Sequence, residues 1–180
     1  MRKFCYLGRL FTDNDDDTPC IQENLKKARK RWASVAKILK TEGANPKVMA
    51  KFYLTIVQAI LLYGAESWVM KKIDLISLRS FHRRAVRYMT GRHIRKLEDS
   101  KWTYPNHDIL LKECSLFDID TYIQRRRGTL RSYLEENRTE LLDSAIKTRK
   151  HARDANKILW WNQPWVTKTE MKNQSKFWFK

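Results

Sequence analysis

Residues 52–68 read FYLTIVQAILLYGAESW, the most apolar run of the chain, and Glu66 is its only charged residue. We predict that this run is the buried helix of a small helical domain, because the apolar positions from residue 49 onward cover more than half of a helix circumference. Basic amphipathic patterns lie on both sides of it, at residues 21–40 and 75–92. The functional question is therefore what the positive charge of these flanking helices binds.

The overall charge indicates a polyanionic partner. The 180 residues carry a net charge of +17, which attracts nucleic acid first and an anionic membrane surface second. The length is enough for one domain, or for one domain and a small appendage. Only 5 Gly and 4 Pro interrupt the chain, so long helices are favoured over many short strands.

The cysteines and the hydropathy of the sequence indicate where in the cell the protein is located. Cys5, Cys20 and Cys114 are an odd number without a Cys-x-x-Cys pair, so neither a disulfide framework nor a zinc ribbon is indicated. The N-terminus lacks the apolar stretch of a signal peptide, and the apolar segment 56–63 is far shorter than the ~20 residues of a membrane span. We expect an intracellular protein, nuclear or cytoplasmic, that is not secreted and has no membrane partner.

The N-terminal segment carries the best strand signal. Residues 4–12, FCYLGRLFT, predict one β-strand as an arm of a hairpin, and the acidic turn DNDDDTP follows it. Because an isolated strand is marginal in water, we expect the chain to start partway into a larger fold, with the partner strands elsewhere.

Capping residues and glycines predict the helix boundaries. We expect three helices that start at Thr18 with Pro19, at Asn45 with Pro46 and at Asp74, the first ending at Gly43 and the third at Gly91. Apolar residues then recur every three or four positions. The predicted inward faces are Ile21, Leu25, Ala28, Trp32, Val35 and Leu39; Met49, Phe52, Tyr53, Ile56, Val57, Ile60 and Leu61; and Leu75, Leu78, Ala85, Val86 and Met89.

The remainder of the chain is predicted to be helical and basic. Helices are expected at 107–114 and 119–136, a weaker one at 139–155, and a Trp-rich tail from 157. The fold class is therefore mainly α: a three-helix bundle with one short N-terminal β-strand or hairpin and a helical basic C-terminal extension. The predicted domains are 1–17 (strand and acidic turn), 18–95 (bundle), 96–156 (basic extension) and 157–180 (tail).

Three chemistry-bearing patterns give weak support for an active site. The acidic cluster Asp13, Asp15, Asp16 and Asp17 does not fit the calcium loop, since Thr18 and Asn24 stand where that loop needs Gly and Glu. We interpret it as a solvated turn that favours the following helix N-terminus. A nucleophilic pair of Cys114 with His107 stays open.

The histidines do not predict a metal site. His82, His93, His107 and His151 lack zinc-protease spacing, and we assign His82 to the basic face of its helix. No cofactor is expected in this chain.

Cations that lie off the apolar faces form the main candidate site. They repeat in successive segments, near the aromatic residues Trp32, Trp102 and Tyr104, and such groups neutralise phosphates and stack on bases. The candidate nucleic-acid-binding residues are Lys26, Lys27, Lys30, Arg31, Arg79, Arg83, Arg84, Arg87, Arg92 and Arg95. The helix at 119–136 is expected to place Arg125, Arg126, Arg127 and Arg131 on its outer side.

Three strings carry a family resemblance: FCYLGRLFTDNDDDTPCIQENLKKARKRWASVAKIL, KFYLTIVQAILLYGAESWVM and LRSFHRRAVRYMTGRHIR. In this order they resemble the C-terminal part of reverse transcriptases encoded by non-LTR, LINE-like retrotransposons. The resemblance covers about residues 4–95. It implies that Tyr6, Leu7 and Gly8 are the primer grip and that the following helices are a thumb, which clasps a template–primer duplex.

The resemblance also implies what this chain lacks. The fingers and the palm, with its two aspartates and its Mg²⁺, would precede Met1. The family is an RNA-directed DNA polymerase, but this chain alone is predicted to be inactive, as a truncated remnant.

Two functions from different classes follow from these observations. The first is sequence-independent binding of an RNA or DNA duplex through its phosphates. The alternative is a helical protein-interaction module that docks onto a palm domain or another partner. An autonomous enzyme is the third and least supported hypothesis.

Overall fold

The structure, a computed structural model, describes residues 3–12, 16–92, 95–96, 102–103, 106–137, 140 and 144. These residues form a mainly α-helical protein with a short antiparallel hairpin at its N-terminus. The elements are β1 (Lys3–Tyr6), β2 (Arg9–Thr12), α1 (Thr18–Thr41), α2 (Pro46–Phe52, continued by the π-helical Tyr53–Gln58 and by Ala59–Leu61), α3 (Lys72–Thr90), β3 (Arg95–Lys96), β4 (Trp102–Thr103), α4 (His107–Cys114) and α5 (Ile119–Glu136). The predicted mainly α class is confirmed.

The hairpin differs from the predicted single strand. β1 and β2 pair with each other, with Phe4 opposite Phe11. Leu7 and Gly8 form the two-residue connection, both with positive φ (47° and 80°), which is the conformation that the twist of a tight hairpin requires. Residues 4–12, which were predicted to form one arm of a hairpin, therefore contribute to both of its arms. Each strand pairs with the strand next to it in the sequence.

In the first helix, the predicted cap Thr18 is already a helical residue. Thr18 is the first residue of α1, not its cap, and its hydroxyl donates instead to Asp74 Oδ2 at 3.0 Å. Asp74 was predicted to cap α3, but it lies in the first turn, where its carboxylate accepts from the Lys71 backbone N–H at 3.0 Å. Gly43 and Gly91 follow the helix ends with φ of 67° and 65°, as the sequence predicts.

The second helix starts as predicted and ends early. Asn45 Oδ1 accepts from the Val48 backbone N–H at 3.0 Å, and Pro46 is the first helical residue. The prediction of one helix over residues 52–68 is wrong, because α2 ends at Leu61 and residues 62–67 form turns around Gly64 (φ 78°). Phe52, predicted to face inward, is 42% exposed.

Tertiary partners explain why the chain leaves the helix at this point. Arg127 Nη2 donates to the Trp68 carbonyl at 2.6 Å, and Asp17 Oδ2 accepts from the Val69 backbone N–H at 2.7 Å. These bonds satisfy backbone groups that a helix would otherwise satisfy internally. The prediction that the segment is buried holds for Leu62 and Trp68, which lie in the core, but Tyr63 is 47% exposed.

One hydrophobic core joins all five helices. It includes Leu25 of α1, Tyr53 of α2 and Val86 of α3, and it continues into α4 and α5 with Leu110 and Ile123. The core therefore does not stop at the predicted domain boundary at residue 95. α4 and α5 coincide with the helices predicted at 107–114 and 119–136.

Parts of the C-terminal prediction lie outside the described residues. The chain between α3 and α4 contains the short antiparallel ladder of β3 and β4. The helix predicted at 139–155, apart from residues 140 and 144, and the tail 157–180 are not described. Within the described part of the chain, no helix combines the length and the apolar character needed to cross a bilayer.

Candidate nucleic-acid interface

Two contacts show that α1 and α3 lie side by side and run in the same direction. Near their starts, the Thr18 hydroxyl donates to Asp74. Further along, the rings of Trp32 and Tyr88 meet edge to face with centroids 6.0 Å apart. Both pairs are separated by 56 positions, so the two helices keep the same register at these two contacts.

This pairing brings the outer faces of the two helices together. Lys26, Lys30 and Lys37 are spaced by four and seven, so they share the face of α1 that points away from the core, and all three are exposed. On α3, the outer face carries Arg84 and Arg87, and Arg83 lies at its far edge, close to His107 of α4. These six residues are named the α1–α3 basic surface: Lys26, Lys30, Lys37, Arg83, Arg84 and Arg87.

Lys37 was missed by the sequence analysis. It lies beyond the dense basic run of the first helix, but its spacing of seven from Lys30 was the available signal. At the end of the same helix, Lys40 Nζ lies 4.9 Å from the centre of the Tyr88 ring, so this lysine is held against α3 by a cation–π contact.

Lys27 and Arg31 do not belong to this surface. They are exposed and four residues apart, but they lie on the flank of α1 that faces away from α3. The structure therefore separates the four predicted cations of α1 into two pairs.

Two predicted arginines are engaged in ion pairs with the C-terminal helices. Arg79 donates from Nε and Nη2 to Asp120 of α5, at 2.8 and 3.0 Å, and this hydrogen bonding raises the pKa of Arg79. Arg92 Nη2 lies 3.0 Å from Glu113 of α4. For Arg95, the structure describes only the backbone, within β3.

His82 was assigned to the basic face, and this is wrong. Its side chain is 1% exposed; Nδ1 lies 2.9 Å from the Tyr53 hydroxyl and Nε2 lies 3.0 Å from the Phe117 carbonyl. Because a carbonyl only accepts, Nε2 carries the proton and Nδ1 accepts from Tyr53. Burial lowers the pKa of His82 to about 4, so the ring is neutral and joins α2, α3 and the connection after α4.

Arg127 was expected on the outer side of its helix, and this is also wrong. It is 4% exposed and directs its guanidinium to the Trp68 carbonyl. Arg125 stacks over the Phe117 ring, with its guanidinium carbon 4.3 Å from the ring centre. Part of the positive charge of α5, on Arg125 and Arg127, therefore makes contacts within the fold that hold this helix against the bundle.

Trp32, predicted to assist base stacking, is not available for it. The indole is buried between Tyr53 and Tyr88, with centroids 5.4 and 6.0 Å away. The side chains of Trp102 and Tyr104 lie outside the described residues.

The residues that resemble a primer grip lie at the hairpin turn. Tyr6 and Leu7 are exposed, and the Leu7 carbonyl accepts from the Tyr63 hydroxyl at 2.7 Å. Arg9, which the sequence analysis did not single out, bonds Ser67 and pairs with Asp17 Oδ1 at 2.7 Å. These contacts fix the hairpin against the connection between α2 and α3.

The acidic cluster is not the solvated turn that was predicted, as far as its described residues show. Asp17 is buried and accepts from Arg9 and from the Val69 backbone. Asp16 Oδ2 lies 2.7 Å from Lys71 Nζ, and the pKa of Asp16 is lowered because the bonds from Lys71 and Thr18 outweigh its desolvation. These two carboxylates hold elements together.

The described residues give no support to two kinds of chemical site, a metal centre and a Cys–His nucleophile. Among the described residues, no group of three or more His, Cys, Asp or Glu side chains is placed to hold a metal ion. Burial raises the pKa of Cys114 to about 11, which disfavours the thiolate that a nucleophilic pair with His107 would need.

Comparisons of this chain with protein-family models, with curated proteins and with solved structures find no match.

Proposed function

We propose that this protein binds a nucleic-acid duplex through its phosphates, without reading sequence, and that the α1–α3 basic surface makes the contact. The observation that carries the proposal is the parallel pairing of α1 and α3, which joins the outer cations of both helices in one face. Phosphate neutralisation by such cations is the main source of non-specific affinity.

The charge balance of the two helices supports this assignment. α1 and α3 together contain 12 Lys or Arg residues and only two acidic residues, Glu23 and Asp74. Asp74 is buried and bonded within the fold. Arg79 is paired with Asp120 of α5, but the two helices together keep a net positive charge on their outer faces.

The resemblance to the thumb of LINE-like reverse transcriptases agrees with the proposal. In that setting, the chain corresponds to the part of the polymerase that clasps the template–primer duplex, and the Mg²⁺-dependent chemistry belongs to the palm. The proposal for this chain is limited to duplex binding. An RNA/DNA hybrid and a DNA duplex are both suitable probes.

The test is the salt dependence of binding, measured by fluorescence anisotropy with a labelled duplex. If about five or six phosphates are neutralised, the slope of log affinity against log salt is about −5. Replacing Arg83, Arg84 and Arg87 together by Gln should make the slope shallower by about 2.7. Two duplexes of unrelated sequence should lose affinity equally.

The structure supplies a matched control on the opposite flank of α1. Replacing Lys27 and Arg31 by Gln also removes exposed positive charge, but outside the α1–α3 basic surface, so the slope should stay close to that of the wild type. A flat salt response in the wild-type protein would refute duplex binding through phosphates. An equal loss of slope in both variants would refute the assignment to this surface.

The exposed hairpin favours a second candidate function, docking onto a palm domain or a similar partner. Phe4, Tyr6 and Leu7 are all more than half exposed, and their rigid attachment to the core presents them as a formed surface. Size-exclusion chromatography distinguishes this candidate, because self-association that is independent of nucleic acid and salt would support docking.

A further inference from the structure

A second exposed face lies between α1 and α2, away from the α1–α3 basic surface. Trp32 meets Tyr53 with centroids 5.4 Å apart, and Asn24 Nδ2 donates to the Tyr63 carbonyl at 3.0 Å. As the chain advances along α1, its neighbours on α2 move backward, so the two helices are antiparallel. Ile38 near the end of α1 is therefore level with Val48 near the start of α2.

Apolar side chains line this face although it is open to solvent. Ile38 is 62% exposed, Val48 37% and Phe52 42%. Val48 and Phe52 are four residues apart, so they lie on the same side of α2, the side next to α1. We name these three residues the α1–α2 groove. Exposed apolar residues that share one groove indicate an interaction site more strongly than scattered ones.

Cations border the groove on both helices. Lys27 and Arg31 lie on the stripe of α1 that ends at Ile38, and Lys51 lies beside Phe52 on α2; all three are exposed. Lys27 has a long contact of 3.9 Å with Glu23, which is an exposed pair of little energetic weight. Residues 46–61 contain no acidic residue. On the α1 side, Glu23 and Glu42 partly offset the three cations, so the border is positive on balance.

We propose that the α1–α2 groove binds an acidic amphipathic helix of a partner protein. The apolar face of such a helix would cover Ile38, Val48 and Phe52, while its flanking carboxylates would meet Lys27, Arg31 and Lys51. A groove between two antiparallel helices accepts a third helix through apolar residues spaced by three, four and seven. The complementary charge selects an acidic partner and disfavours a basic one.

The Trp-rich tail of this chain does not fit the same description. Residues 157–180 contain five lysines and a single acidic residue, Glu170. Like charges across the groove would oppose its binding. The expected occupant is therefore a separate, acidic polypeptide.

The test uses a helical peptide of about four turns, with leucines spaced by three and four and glutamates on both flanks. Its binding to the full chain is measured by fluorescence anisotropy, beside a peptide in which lysines replace the glutamates. The acidic peptide should bind and the basic one should not. Replacing Ile38 and Phe52 together by Ser should weaken binding about tenfold.

A matched variant on another helix controls for the loss of exposed apolar surface. Ile73 and Ile76 of α3 are exposed to a similar degree, and replacing both by Ser should leave peptide binding unchanged. Circular dichroism and thermal unfolding verify that each variant is folded. Duplex binding should be the same in both variants. A failure of this proposal, seen in peptide binding, can therefore be distinguished from a failure of the proposed function, seen in duplex binding.

Four results would overturn the proposal: absence of binding up to millimolar acidic peptide, equal binding of the basic peptide, equal binding by the Ile38 and Phe52 variant, or equal loss in the control variant. If that groove variant instead loses affinity for a single-stranded oligonucleotide, the groove is a nucleic-acid surface and the assignment to a protein partner is wrong.

Discussion

The buried histidine of α3 gives a quantitative prediction of how stability depends on pH. His82 is neutral in the folded protein near pH 7 because burial lowers its pKa. In that state its Nε2–H donates to the Phe117 carbonyl and its Nδ1 accepts from the Tyr53 hydroxyl. The unfolded chain binds a proton near pH 6.5, but burial lowers the pKa of the folded group to about 4. Stability from this group is therefore complete above pH 6.5 and is lost as the pH falls to about 4.

The magnitude follows from the linkage between proton binding and folding. Each pH unit between the two pKa values changes the free energy of unfolding by about 1.4 kcal/mol. Between pH 6.5 and pH 4, the protonation of His82 in the unfolded chain removes roughly 3 kcal/mol. Carboxylates also titrate in acid. The contribution of His82 is therefore measured as the difference in the free energy of unfolding between the wild type and a variant without this histidine.

The assay compares the wild type with His82→Gln, which does not titrate. Urea unfolding is followed by the fluorescence of the buried Trp32 and Trp68 at several pH values. The wild type should be the more stable protein at pH 7.5, and its advantage should shrink by roughly 3 kcal/mol at pH 4.

A His107→Gln variant isolates the neighbouring ring. The pKa of His107 is also lowered, chiefly by desolvation, so this variant shows how much of the acid sensitivity arises beside His82. A stability gap between wild type and His82→Gln that is equal at pH 7.5 and pH 4 would refute the reasoning.

Three further predictions concern contacts that hold the fold. Arg127→Met leaves the buried Trp68 carbonyl without its donor and should lower the free energy of unfolding by about 1–3 kcal/mol in urea titrations. Asn45→Ala removes the cap of α2 and should cost about 1 kcal/mol, measured as a lower Tm. Asp17→Asn removes the charge that holds Arg9, so stability should fall by about 2 kcal/mol and amide exchange in β1 and β2 should become faster.

Each of these predictions has a control or a contradicting result. Arg126→Met removes a charge from a half-buried neighbour, and a loss equal to that of Arg127→Met would show that the Trp68 contact is not the cause. A Tm of Asn45→Ala equal to that of the wild type would contradict the capping role. Unchanged amide exchange in the hairpin of Asp17→Asn would mean that other contacts hold it.

Local chemistry made much of the helical organisation predictable. Asn45 caps α2, and Gly43 and Gly91 stop the helices before and after it, because these residue types satisfy or release backbone groups wherever they occur. The apolar periodicity of α1 likewise identified Ile21 and Leu25 as core positions, since a helix turns by the same angle in any context.

The candidate site was predictable only in part. Helical spacing shows that Lys26 and Lys27 avoid the core, but both lie off the apolar face and periodicity alone does not separate them. Lys26 joins the α1–α3 basic surface because α3 packs on that flank of α1. Lys27 lies beside the α1–α2 groove because α2 packs on the other flank.

The sequence by itself determined that this protein is helical, strongly basic and built around an apolar central segment. Tertiary structure decided that α2 ends at Leu61 and that His82, Arg127 and Asp17 are buried. The physical reason is that a polar side chain becomes buried only where a distant part of the chain offers a hydrogen-bond partner. Such partners are separated by 29 to 59 positions here, beyond the reach of any local pattern.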